Sequence, residues 1–164
     1  ICINNAGINI IKPLNEVSIE EYNRLMSVNL SAPFSIVRSI IPNMKKQNYG
    51  RIVNIASIWS EISKSGRSLY TTSKTGLVGF TRSMAVEYAS SNILVNAVSP
   101  GFTLTDLTKQ TLSDDEKKLI SSQVPMGRFA EPNEIAKIVL FLCSDLNTYI
   151  TGQNITIDGG FTLV

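Results

Sequence analysis

Residues 51–100 read RIVNIASIWSEISKSGRSLYTTSKTGLVGFTRSMAVEYASSNILVNAVSP. A β-branched run, Arg51 to Ile55, precedes a stretch from Leu69 to about Ala89 in which Leu77, Phe80, Met84 and Tyr88 recur at helical spacing. A second β-branched run, Ile93 to Val98, follows. Strand, proline-free helix and strand in that order form a crossover unit, which is right-handed and lays its two strands parallel. The helix carries Gly76 and Gly79 beside Thr75. Each interior glycine costs about 1 kcal/mol relative to Ala, so a close-packed neighbour is expected at this face.

The same alternation extends outward. Ile1 to Asn5 and Asn154 to Ile157 read as two further strands. Ser18 with Glu21 is a capping box opening one helix, and Phe34, Val37, Ile41 and Met44 mark a second one after Pro33, which Pro42 should bend near its end. Pro100 to Gly127 is a long polar stretch with one short helix capped by Ser113 and Glu116, and Pro132 opens a last helix to about Ser144. The fold class is therefore α/β: a Rossmann-like parallel sheet with helices on both faces, in a single domain over residues 1–164.

Composition narrows the chemistry. The 164 residues are 43% hydrophobic with 15 Lys and Arg against 13 Asp and Glu. That near balance, without charge runs, argues against a nucleic-acid partner. The absence of His removes Ser-His-Asp and Cys-His nucleophile systems and the histidine proton shuttle. Cys2 and Cys143 stand alone at opposite ends, so no metal site and no disulfide framework is expected. The longest apolar run, Ile138 to Cys143, is far below the roughly 20 residues of a membrane span, and no secretion signal is legible, so a cytoplasmic protein is expected. The sequence opens on Ile1, inside a strand, and reads as a piece of a longer chain.

Two side chains on the central helix can act together. Tyr70 and Lys74 lie four apart, about one turn, on one face. A phenol has an ordinary pKa of about 10, and a neighbouring ammonium favours its ionised form, which would bring Tyr70 toward acid-base work near neutrality. Ser57 follows the strand Arg51 to Ile55, where a hydroxyl at the carboxyl end of a parallel strand faces the ligand crevice. Lys64 and Arg67, between Ser57 and Tyr70, are in position to meet an anionic substrate, although exposed basic side chains are usually solvated.

Taken together, Asn4-Asn5-Ala6-Gly7, Asn29 in Val28-Asn29-Leu30, Ser57, Tyr70-Thr71-Thr72-Ser73-Lys74 and Pro100-Gly101 resemble the short-chain dehydrogenase/reductase family in content, order and spacing. The likeness continues through Asn133-Glu134-Ile135-Ala136, Ile150-Thr151-Gly152-Gln153 and Asp158-Gly159-Gly160, and within the family it is similar to 3-oxoacyl-(acyl-carrier-protein) reductases and to sugar or polyol dehydrogenases. The resemblance implies an NAD(P)-dependent oxidoreductase, with NAD or NADP as cofactor, interconverting a small-molecule secondary alcohol and a ketone. It implies a catalytic tetrad of Asn29, Ser57, Tyr70 and Lys74. Tyr70 exchanges the proton, Ser57 holds the substrate oxygen, Lys74 lowers the Tyr70 pKa and bonds the nicotinamide ribose, and Asn29 holds a water leading from Lys74 to solvent. It further implies cofactor contacts at Asn5, Ala6, Gly7, Tyr70, Lys74, Pro100, Gly101, Thr103 and Thr105, and a substrate lid over Leu104 to Gln123.

One departure from the family stands at the front: no glycine-rich phosphate turn and no residue selecting NAD or NADP is present in these residues, which correspond to the C-terminal two-thirds of a family member. The 164 residues alone are therefore expected to bind nucleotide poorly, and an alternative role as a non-catalytic oligomerisation or regulatory partner of a full-length reductase follows. The end of the central helix, Ala89-Ser90-Ser91-Asn92, lacks the Arg expected of a partner for an acidic acyl-carrier protein. The resemblance also implies a homo-oligomer, dimer or tetramer, built on the two long helices around Phe34, Gly76 and Gly79.

Overall fold

The centre of the computed structural model is a strand flanked by partners on both sides, β3 (Ile93–Pro100), whose residues are buried from Ile93 to Ser99. The structure describes residues 1–164, with side chains for all but Leu107 and Thr111. β3 pairs in parallel with β2 (Gly50–Ile55) on one side and β4 (Asn154–Ile157) on the other, and β1 (Cys2–Asn4) completes the order β1-β2-β3-β4 as an edge. The register runs Cys2 to Ile52, Ile52 to Val95 and Ala97 to Asn154. The four expected strands are present, β2 and β3 slightly longer and β1 shorter than their β-branched runs.

Alternate strand residues go to opposite faces, as the two-residue period of a strand requires. On one face Ile52, Ile93 and Val95 pack with Val37, Ile41 and Met44 of α2 (Ala32–Gln47) and Ala85 of α3 (Ser68–Tyr88). On the other, Val53 and Val98 meet Ile135, Leu142 and Cys143 of α6 (Pro132–Cys143). Helices thus cover both faces.

α1 (Ile19–Met26) opens on the Ser18–Glu21 capping box and continues through a π-turn, Ser27–Ser31, into α2. The helix passes Pro42 and ends at Gln47, where Asn48 takes a left-handed conformation. By length and composition this run, 19–47, is apolar enough to cross a membrane. Its Leu25, Val37, Ile41 and Met44 are instead buried within the protein.

The single short helix expected between Pro100 and Gly127 is two: α4 (Asp106–Thr111), capped by Thr105, and α5 (Asp114–Ser122), opened by the Ser113–Glu116 box. The missed one begins at a Thr side chain that accepts the Thr108 N–H, a cap that the polar character of the stretch hides. Gly76 also differs from expectation. A Cβ there would lie 3.2 Å from Leu30 of the same chain, so its close neighbour is internal, whereas Gly79 faces open space.

Candidate active site

A chain of buried polar side chains fixes α3 to the sheet. Asn4 Nδ2 donates to Asn54 Oδ1 at 2.7 Å, Asn54 Nδ2 donates to the Thr81 hydroxyl at 2.8 Å, and Thr81 donates to the Leu77 carbonyl at 2.9 Å. β1, β2 and α3 are thereby cross-linked, and buried, fully paired polar groups favour a single arrangement. Pattern reading treats Asn54 and Thr81 as ordinary strand and helix residues; nothing local marks them.

With α3 so placed, Tyr70 and Lys74 project from its first turns toward the carboxyl ends of β1, β2 and β3. There a cleft of about 1110 Å³ is lined by Asn5, Gly7, Ser57, Tyr70, Lys74, Pro100, Thr103 and Thr105. Pro132, Ile135, Ala136 and Val139 of α6 form an apolar wall that the sequence leaves unassigned to the site. Ser57 is buried and caps a short 3-10 turn, Ile58–Ser60, its Oγ accepting the Trp59 N–H at 3.3 Å. Of the other predicted site residues, Ala6 is exposed beside the cleft, while Asn29 and Gly101 stand behind its lining.

Asn29, 1% exposed in the π-turn, accepts the Ile8 N–H at 2.8 Å and donates to the Ile8 carbonyl at 2.9 Å and to Ser73 Oγ at 3.1 Å. It ties the loop after β1 to α3. At Gly101 a Cβ would come within 2.7 Å of the Asp158 backbone, so glycine there lets the end of β4 approach. Thr103 donates to the Gly101 carbonyl at 3.2 Å, and the Thr105 hydroxyl caps α4.

The electrostatics differ from the sequence expectation at one point. Burial pushes the Tyr70 phenol above its ordinary pKa, against the Ser57 hydrogen bond and the Arg67 cation, which both pull it down. The Lys74 ammonium is itself desolvated, its pKa depressed to about 8, and its Nζ donates to the Ile55 carbonyl at 2.7 Å while lying 5.6 Å from the Tyr70 ring centre.

A family model described as enoyl-(acyl carrier protein) reductase matches residues 1–162. The chain belongs to the short-chain dehydrogenase/reductase family. Among curated family members, it is 45% identical over 160 residues to the 3-oxoacyl-(acyl-carrier-protein) reductase FabG of Aquifex aeolicus, covering 98% of this chain and 64% of that protein. It is 42% identical to FabG of Escherichia coli over 100% of this chain and 67% of that protein. The chain thus spans about two thirds of the length of these relatives. Two solved family structures superpose on it. A gluconate 5-dehydrogenase from Burkholderia cenocepacia in complex with NADP and tartrate has a TM-score of 0.93 at 28% identity, covering 99% of this chain and 64% of that one. A 4-hydroxyisoleucine dehydrogenase mutant complexed with NADH and succinate also has a TM-score of 0.93, at 36% identity, covering 99% and 68%.

Proposed function

We propose that the full-length form of this family member is an NAD(P)-dependent oxidoreductase that interconverts a secondary alcohol and a ketone. The observation that carries the reading is the convergence of Ser57, Tyr70 and Lys74 on one cleft at the carboxyl edge of a parallel sheet. Tyr70, its pKa raised by burial, holds its proton at neutral pH and is poised to donate it to a carbonyl oxygen. The Ser57 hydroxyl, beside it, donates to the same oxygen and stabilises the charge that develops there.

The residues present fit the nicotinamide half of a dinucleotide. Among the described residues Lys74 Nζ has one protein acceptor, the Ile55 carbonyl, which leaves its other N–H donors available to ligand hydroxyls. Gly7 lines the cleft beside the same groups: a Cβ there would stand in ordinary contact with Lys74 Nζ at 3.4 Å and Asn29 Oδ1 at 3.6 Å. Asn5, Ala6, Pro100, Gly101, Thr103 and Thr105 complete the proposed contacts. When bound, the cofactor supplies or accepts a hydride at the substrate carbon. Asn29 holds the Ile8 loop that carries Gly7 into place and completes the proposed tetrad. The reading includes a cytoplasmic homo-oligomer.

In the full-length protein, Tyr70→Phe removes the exchangeable proton and lowers turnover of a ketone by at least about 100-fold, with NAD(P)H affinity held within about twofold. Turnover close to wild type in that variant overturns the reading.

A further inference from the structure

We propose that Ser60 is a positioning residue for the redox reaction: its hydroxyl, held by Asn154 at the head of β4, fixes the turn that aims the Ser57 hydroxyl into the cleft. This role rests on the redox reading above and extends it. Neither Ser60 nor Asn154 is among the residues lining the cleft, so both act through Ser57 rather than on a ligand.

Two donors of Ser60 converge on the Ser57 carbonyl. The Ser60 N–H reaches it at 2.8 Å and the Ser60 hydroxyl at 2.7 Å. A carbonyl oxygen has two lone pairs, so this one residue satisfies both. Ser57 Oγ meanwhile accepts the Trp59 N–H at 3.3 Å, which leaves its own O–H free to donate to a ligand oxygen. The Ser57 backbone and side chain are thus held from inside one turn, Ile58–Ser60, and the direction of the free O–H follows from that turn. From the residue after Lys74, Thr75 Oγ1 donates to the Ser60 carbonyl at 3.2 Å and ties the turn to the helix that carries Tyr70.

The proton positions behind Ser60 follow from one group that can only accept. The Glu61 carboxylate takes a proton of Asn154 Nδ2, which fixes the orientation of that amide. Its Oδ1 therefore faces Ser99, whose hydroxyl donates to it at 2.8 Å. The same Nδ2 lies 3.3 Å from Ser60 Oγ and donates to it, so the Ser60 proton is left for the Ser57 carbonyl. Ser99 Oγ also stands 3.1 Å from Ser60 Oγ, with both hydroxyl protons already committed elsewhere. The donors run one way, from Asn154 through Ser60 to Ser57. Ser99 is buried in β3 and Asn154 pairs in register with Ala97, so the anchor of this relay is the sheet itself. A donor aimed at a developing oxyanion is worth about 100-fold or more in rate, and a misplacement of about 1 Å forfeits much of it. A turn free to pivot about Ser57 would lose part of that factor.

In the full-length protein, Ser60→Ala should lower kcat for ketone reduction about tenfold, with the KM for ketone and the Kd for NAD(P)H held within about twofold. Asn154→Asp offers Ser60 an acceptor in place of a donor, draws its proton away from the Ser57 carbonyl, and should give the same loss from outside the cleft. The discriminating measurement repeats Ser60→Ala in a Ser57→Ala background. A residue that acts through Ser57 has nothing left to aim there, and the further loss is below about twofold. An equal loss in both backgrounds, as a packing role predicts, overturns the inference, and so does wild-type kcat in Ser60→Ala. Deuterium exchange of the amides over residues 57–62 reads the clamp without turnover. Ser60→Ala should speed it about tenfold, and exchange unchanged from wild type overturns the clamp. Faster exchange in the variant of a protein whose wild type transfers no hydride to any ketone overturns the redox reading and leaves the clamp on Ser57 standing.

Discussion

Asn29 and Ile8 are joined twice, the side-chain amide accepting the Ile8 N–H at 2.8 Å and donating to the Ile8 carbonyl at 2.9 Å. The amide thus stands in for a strand partner where the chain leaves the sheet, and it holds the loop whose Gly7 floors the cleft. Removing a partner from part-buried backbone groups costs about 1–3 kcal/mol for each group left unpaired. Asn29→Ala should therefore lower stability by about 2 kcal/mol, read from the urea midpoint, and weaken NAD(P)H binding in the full-length protein. A midpoint unchanged from wild type would show that water replaces both bonds without loss.

Lys74 gives the fold an unusual pH dependence. Burial depresses its pKa from 10.5 to about 8. Between those values the unfolded chain still binds a proton that the folded chain has released, so stability from this group rises with pH across the window. Below pH 8 both states carry the proton and the full cost of burying the ammonium, about 3 kcal/mol, is present. Lys74→Met should flatten this contribution, so the stability difference between wild type and variant changes steadily between pH 8 and 10. A difference that stays constant over that range contradicts the assignment of a depressed pKa to Lys74. Comparing the two proteins cancels Tyr70, whose raised pKa acts in the opposite sense at higher pH.

Gly101 and Gly79 make a matched pair of substitutions with opposite signs. A Cβ at Gly101 would meet the Asp158 Cα at 2.7 Å and its Cβ at 2.8 Å, forcing β4 away from the end of β3. Gly101→Ala should destabilise by about 1–3 kcal/mol, the usual cost of overpacking. At Gly79, inside α3, a Cβ would meet nothing within 4 Å, and Ala there should stabilise the isolated chain by about 0.5–1 kcal/mol. Thermal midpoints moving in the same direction for both would refute the distinction.

The architecture was legible because strand and helix periods are long and repeated: the β-branched runs around Ile52 and Val95 and the helical spacing after Leu69 needed no long-range information. Tyr70, Lys74 and Ser57 were legible for the same reason, since helix spacing and the strand end place them. The Asn4–Asn54–Thr81 chain was not, because its members are separated by 50 and 27 residues and only the folded sheet brings them together. Arg67 is visible in the sequence only as a cation between Ser57 and Tyr70, open to an anionic substrate or to solvent; its place over the Trp59 ring, 4.9 Å from the ring centre, belongs to the folded turn. The sense of the Tyr70 shift was missed because burial outweighs charge there, and burial is a property of the assembled cleft.

The outer faces of α2 and α3 test the proposed homo-oligomer. Phe34 is 51% exposed although its ring lies 5.8 Å from that of Phe80, and Val86 is 85% exposed two turns along α3 from the open Gly79. Apolar side chains grouped on one face mark an association surface more often than isolated ones do. Because both residues are solvent-facing within one chain, replacing them should leave the protomer's own stability within about 0.5 kcal/mol. A buried charge at a subunit interface, by contrast, costs several kcal/mol. Phe34→Glu combined with Val86→Glu should therefore shift the full-length protein to a smaller species in light scattering, with an unaltered circular dichroism spectrum. An unchanged molar mass in the double variant would place any subunit contact elsewhere on the surface.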